Sequence, residues 1–444
     1  MTTTSTAPTP APGTTPAPAP DAGSEITRRL GDLSASVRSG FEGTPGKLRG
    51  IGALTVVACL LFGLAAGFSF RAADGALSRA GANTDQLIRV QAIQNRVVQA
   101  DADATNAFLV GGLEPPAERA EYTAAITSAS KLVAEAAQSQ PADGPALGAV
   151  NKALLAYASE IEQARANNRQ ALPIGSQYLK NASSGLRADA LPPLRSLVNA
   201  NNQRVDEEFD NARSAVLWLV IFGLLTLVAL GFALVWLARR TRRYVNVPLA
   251  AAAVIVLVTL VVGALGLGAI GSNVDDVQGG VYAATLSTAQ ARIAGFDAKS
   301  NESLSLIARG SGASFEEAWQ GSDATIQREL ARLDDNDAAA ELEPLPWDDY
   351  ASVHKQIRKL DDSGNWDGAV RLATGTGSNS GNATFASFDS SSGKQLSSLG
   401  EDTASQLDDA GGWLPFAAVL GLVAGIVAAL CAWWGISLRL GEYR

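Results

Sequence analysis

Two short stretches of the chain place the same polar side chains at the same spacing. Gln94, Arg96 and Asp101 recur as Gln290, Arg292 and Asp297, within the pattern Q-x-R-[VI]-x-x-x-D-A, at an offset of 196 residues. On a helix, positions seven apart share a face, so Gln94 and Asp101 stand in one stripe with Val97 while Arg96 lies off it. A guanidinium is a planar fork that pairs with a carboxylate, so Arg96 and Arg292 can reach a ligand carboxylate or an acidic group on a neighbouring bundle. A Gln and an Asp on a helix seam can instead fix register, as buried polar groups do. Both readings stand, and the six residues are the candidate ligand- or partner-binding set.

Other chemistry is scarce. His354 is the sole histidine, and the two cysteines, Cys59 and Cys431, fall inside apolar runs, which excludes a disulfide in the polar segments. There is no G-x-S-x-G, H-E-x-x-H or phosphate-binding glycine loop. The acidic run Asp334-Asp335-Asn336-Asp337 lacks the glycine and glutamate that a calcium loop requires at its sixth and twelfth positions. The expectation is therefore no catalytic residue, no metal and no cofactor: the chain is not an enzyme. A formal charge of −9 argues against a nucleic-acid partner, which would need a basic face.

The elements that must position the repeated motif begin with the membrane. Residues 51–70, 215–238, 247–271 and 413–438 form four apolar runs, each long enough to cross about 30 Å of hydrocarbon as a helix. Arg28, Arg29, Arg38, Lys47 and Arg49 precede the first. Arg239, Arg240, Arg242 and Arg243 lie in the loop 239–246 between the second and third, and Arg439 and Arg444 follow the fourth. The opposite flanks carry Asp74, Asp210, Asp275, Asp276, Asp408 and Asp409. Basic flanks stay inside. The expectation is a multi-pass protein of the bacterial plasma membrane with both termini cytoplasmic, and with the loop arginines 239, 240, 242 and 243 against inner-leaflet lipid. The first run lies too deep in the chain, and lacks the small-residue site, for a cleaved signal peptide. Glycines spaced by four, Gly63 with Gly67 and Gly421 with Gly425, mark faces where helix backbones approach closely and also allow a homo-oligomer.

Segments 71–214 and 272–412 are then extracytoplasmic. In the first, Leu87, Val90, Ile93 and Val97 recur at threes and fours, as do Ala124, Ile126, Ala129 and Leu132. Breaks at 111–116, 141–145 and 172–175 leave four helices, near 75–110, 116–139, 145–171 and 175–214. The second segment breaks at 309–313, 344–346 and 362–365 and at a Gly/Ser/Thr/Asn stretch, 374–384, expected to be a mobile loop. In both copies the motif is followed by an apolar turn, glycines, and an acidic helix start with an aromatic: Glu118 to Tyr122, and Glu316 to Trp319. The reading is an all-α integral membrane protein: four transmembrane helices and two extracytoplasmic antiparallel four-helix bundles in tandem duplication.

Residues 1–24 are almost wholly Pro, Thr, Ala, Ser and Gly, a composition too poor in apolar surface to fold. In 25–50, Ile26, Leu30, Leu33, Val37 and Phe41 fall at spacings of three and four, as in an amphipathic helix lying on the inner leaflet. Neither these parts nor the loop 239–246 nor the end 439–444 has room for an output domain, so signalling would need a separate partner. The repeated hairpin resembles the helical ligand-sensing domains of bacterial chemoreceptors and sensor kinases. The whole layout resembles the GlnX-like actinobacterial four-span membrane proteins: a Pro/Thr-rich tail, four spans, two helical outer segments and small inner loops. That resemblance implies amino-acid sensing with a solute-binding lipoprotein of the glutamine-binding type outside and a protein kinase, protein kinase G, inside. It assigns no residue roles. The function expected is a sensor whose outer bundles recognise a ligand or a ligand-loaded binding protein. A transporter component or an envelope-organising protein is the alternative, although the spans hold none of the ionisable residues that transporters place within the bilayer.

Overall fold

The computed structural model describes residues 44–110, 114–170, 172–241 and 246–441. The tail 1–24, most of the amphipathic segment 25–50, the loop arginines Arg242 and Arg243, and residues 442–444 lie outside them. Among the described residues there is no strand. The helices are α1 (Thr44–Val110), α2 (Pro116–Ser139), α3 (Gly144–Arg169), α4 (Ile174–Gly185), α5 (Leu191–Thr241), α6 (Val247–Val277), α7 (Ala283–Ile307), α8 (Ala313–Asp334), α9 (Trp347–Asp362), α10 (Trp366–Thr374), α11 (Gly381–Gly411) and α12 (Leu414–Gly441).

Four continuous helical stretches are long and apolar enough to cross a membrane: Gly46–Val110, Ile174–Arg239, Val247–Ile307 and Gly381–Leu438. Their apolar windows are only 28–39% buried within the protein, and Val228, Leu265 and Phe416 are 69%, 69% and 72% exposed. A continuous apolar surface of this kind is stable only against hydrocarbon. At 58–66 residues, each stretch is far longer than the roughly 20 residues a bilayer needs. Each therefore holds a segment long and apolar enough to cross, together with a long extension.

The chain divides into two compact units. In the first (Met1–Gly63, Phe222–Val258, Val423–Arg444), Leu48, Leu237 and Ile436 pack together. Thr226 donates to the carbonyl of Ala58 at 3.0 Å, and the Asn246 amide donates to the carbonyl of Gly435 at 2.7 Å. Gly63 and Gly425 face each other so closely that a Cβ on Gly425 would overlap the Gly63 Cα. Both spaced-glycine pairs thus supply a backbone contact that any side chain would block.

The second unit (Leu64–Ile221, Thr259–Leu422) holds everything else. One apolar core runs through it, joining Val90, Ile93 and Val97 of α1, Tyr157 and Ile161 of α3, and Leu194 of α5 to Phe296 of α7, Trp319 of α8, Trp347 of α9 and Phe388 of α11. The segments 71–214 and 272–412 therefore share a core.

Two of the long helices are widened by π segments. Leu186–Ala190 joins α4 to α5. Pro192 and Pro193 follow it, and a proline ring offers no N–H and crowds the carbonyl four residues back. Widening the turn accommodates both. Gln278–Tyr282 joins α6 to α7, with Gly280 at φ −95°, ψ −106°, and Asn336 donates to the freed carbonyls of Gly279 and Gly280 at 3.0 and 3.1 Å. The Gly/Ser/Thr/Asn stretch is shorter as a loop than its composition suggests. The Ser380 hydroxyl accepts from the backbone N–H of Ala383 at 3.3 Å, and this cap starts α11 at Gly381.

Candidate functional site

The candidate site grows from the repeated motif. Val97 is fully buried on α1, which turns Asp101, one helical turn on, into the same interior. Asp101 is 1% exposed and its carboxylate is saturated. It accepts from the Ser183 hydroxyl at 2.5 Å, the Ser300 hydroxyl at 2.6 Å and the Arg187 guanidinium at 2.9 Å. Arg187 projects from the π segment Leu186–Ala190. The same guanidinium reaches Asp297, the motif's second aspartate, through Nη2 at 2.9 Å and Nε at 3.1 Å. Asp297 further accepts from Ser322 at 2.9 Å and Asn301 at 3.2 Å. Burial opposes the charge on Arg187, but the two carboxylates outweigh it and hold its pKa above the ordinary arginine value.

Beside this clamp lies a cavity of about 510 Å³. Gln91, Gln94 and Val98 of α1 line it, with Leu191, Arg195, Val198 and Asn199 of α5, Gln290, Ile293, Ala294 and Asp297 of α7, and Ala318, Gly321, Ser322 and Thr325 of α8. Its size is that of a small-molecule site. Gln91 is 3% exposed, and neither its amide oxygen nor its amide nitrogen has a partner. A buried carboxamide without hydrogen bonds is costly, so one that lines a cavity marks a place where a ligand gains by supplying them.

The structure thus brings Gln94, Gln290 and Asp297 to one cavity and Asp101 to its edge. Gln94 and Gln290 line the same cavity and Asp101 and Asp297 share the Arg187 guanidinium, so the two copies of the motif lie beside one another on α1 and α7. The two motif arginines do not enter the cavity. Arg96 donates to Gln99 on its own helix at 2.7 Å. Arg292 donates to the backbone carbonyl of Asp389 at 2.9 Å and ion-pairs with its carboxylate. Burial lowers the Arg292 pKa, and the nearby positive charge of Arg96 adds to the effect. Of the basic loop residues, Arg239 is exposed at the end of its helix.

The motif gave no sign of Arg187, Arg195 or Gln91. The adjacent prolines 192 and 193 were the available signal for the π segment that carries Arg187.

A second cluster brings together residues that stand apart in the sequence, the lone His354 and the helix start from Glu316 to Trp319, with Glu302, Lys299 and Arg358. The buried ring of His354 on α9 places Nδ1 2.9 Å from Glu302 of α7 and Nε2 3.2 Å from Glu316 of α8. It stacks on Trp319 with ring centroids 3.7 Å apart and planes 9° apart. Lys299 pairs with Glu302 at 2.9 Å, and Arg358 with Glu316 at 3.4 Å. Burial would raise the Glu302 pKa, but Lys299 and His354 hold it down, to about 2. Among the described residues no group of His, Cys, Asp and Glu is placed to hold a metal ion.

Residues 76–210 match the family described as an actinobacterial sensor domain. That segment includes Gln91, Gln94, Asp101, Arg187 and Arg195, and it ends before Gln290, Asp297 and His354. No curated protein and no solved structure matches the chain.

Proposed function

We propose that this chain is a plasma-membrane sensor that recognises a ligand, free or delivered by a solute-binding lipoprotein, on its outer helical segments and relays the event to a separate cytoplasmic partner. Both termini are inside in this reading, and the chain has no catalytic role of its own. The observation that carries the proposal is the composition of the cavity wall. Three of the four helices long enough to cross a membrane line it directly, so a molecule bound there touches the elements that would transmit its presence. The match of residues 76–210 to a sensor-domain family supports the same reading.

The relay follows from the clamp. Asp297 both lines the cavity and holds Arg187. A ligand donor that competes for Asp297 loosens Arg187 from α7, and Arg187 sits in the π segment that leads into α5. Packed helices shift between discrete arrangements rather than deforming smoothly, and a π segment is where a helix changes register at least cost. The convergence of Gln94 and Gln290 on one cavity, and of Asp101 and Asp297 on one guanidinium, supports an ancient duplication of the outer segments. The resemblance to GlnX-like proteins makes amino acids the ligand class to try first, with a glutamine-binding-type lipoprotein and protein kinase G as partners.

Crosslinking the tagged full-length protein in its own membranes, followed by mass spectrometry, tests the partners. Recovery of a solute-binding lipoprotein together with a cytoplasmic kinase is expected. Recovery of permease or envelope subunits with neither of these would overturn the proposal.

A further inference from the structure

We infer that His354 makes the second unit a proton sensor, a switch that fastens α9 to α7 and α8 while its ring is charged and releases α9 as the surroundings become alkaline. A carboxylate offers only acceptors, and a neutral imidazole has only one N–H. His354 meets a carboxylate at each ring nitrogen, Glu302 at 2.9 Å and Glu316 at 3.2 Å, so both nitrogens donate only in the imidazolium. Loss of one proton turns one of these contacts into a lone pair facing a negative charge inside the protein.

The charged groups around the ring come from every element packed against it. Lys299 and Glu302 face it from α7 and Glu316 from α8, while Arg358 and Tyr350 stand on α9 itself. α10 contributes the Ala373 carbonyl, which accepts from Lys299 at 3.4 Å. Arg358 also pairs with Asp361 at 2.7 Å and Asp362 at 2.6 Å on α9. With the ring protonated, Lys299, His354 and Arg358 therefore face four carboxylates, and without that proton the same four confront only two cations. Burial works against the imidazolium, but the hydrogen bonds and charges of Glu302 and Glu316 outweigh it and raise the pKa above 6.5. The contribution of the charged ring to stability is therefore complete below pH 6.5 and is lost as pH rises through the higher folded-state value. α7 continues from the helix α6 through the kinked π segment at Gly280. The element that loses its hold on α9 is therefore one of those long enough to enter the membrane.

The chain has a single histidine, so the test is unambiguous. Imidazole resonances of the full-length protein, with labelled histidine, are followed by NMR in lipid nanodiscs from pH 5 to 9, alongside the unfolding temperature. The expected result is one titration with a midpoint above 6.5, coinciding with a fall in unfolding temperature that His354→Asn removes from that window. Glu316→Gln supplies a neutral partner at the less buried end of the triad, so it should fold and lower the midpoint by about one unit. A wild-type midpoint at or below 6.5 overturns the inference. So does a midpoint that Glu316→Gln leaves in place, or a fall in unfolding temperature that persists unchanged in His354→Asn.

Discussion

Asp101 and Asp297 occupy equivalent positions of a repeated motif and are held by the same guanidinium, that of Arg187, at 2.9 Å each. Like Arg213 through Asp275, Arg187 therefore joins the two halves of the second unit electrostatically. Three helical segments meet there, and the cavity opens beside it.

Removing that guanidinium leaves a fully buried and a partly buried carboxylate facing each other. Arg187→Ala should destabilise the protein by about 3–5 kcal/mol, the cost of breaking a buried pair on one side. Arg187→Lys should recover only part, because an ammonium cannot bridge both carboxylates with a planar fork. Denaturant unfolding of the full-length protein in nanodiscs measures both, and wild-type stability in Arg187→Ala would remove the clamp from the account.

Gln91 separates binding from stability in the opposite sense. Its two amide atoms are buried without partners, so Gln91→Leu should stabilise the ligand-free protein by about 1–3 kcal/mol, the penalty of an unsatisfied buried group. The same change should abolish the cellular response. A variant that is more stable and still responds would place the ligand elsewhere.

The motif arginines should part company. Arg292 is only 11% exposed at its side chain and is paired with Asp389 across helices. Arg292→Ala should cost about 2–4 kcal/mol and lower membrane abundance. Arg96 bonds only within its own helix, and Arg96→Ala should stay within about 0.5 kcal/mol of wild type. The sequence treats the two as equivalent signalling residues. Comparing abundance and response in the two variants decides whether they are.

Acid acts on Glu302. Its folded-state pKa of about 2 lies below the ordinary 4.5, so its contribution to stability is present above pH 4.5 and lost as pH falls through about 2. Glu302→Gln should flatten that acid limb while also lowering overall stability, because Lys299 is left buried without its partner. A steep acid limb retained in Glu302→Gln would assign acid sensitivity to another carboxylate.

The apolar runs by themselves determine the helical class and the four stretches able to cross a membrane, because uncharged segments of that length have no other stable solution. The period of three to four residues around Val90, Ile93 and Val97 likewise determines which side of α1 is buried. It also turns Gln94 and Asp101 inward, a local property of one helix. What lies opposite them is not local. Arg187 stands 86 positions from Asp101 and 110 from Asp297 and has no counterpart in the repeat. His354 is a lone histidine until α7 and α8 bring Glu302 and Glu316 to its two nitrogens. Periodicity says which face of a helix is buried, whereas the partner it meets depends on how far each helix slides and rotates against its neighbours. Only the packed tertiary structure sets that, through close contacts such as Gly63 with Gly425 and the π segment before Pro192.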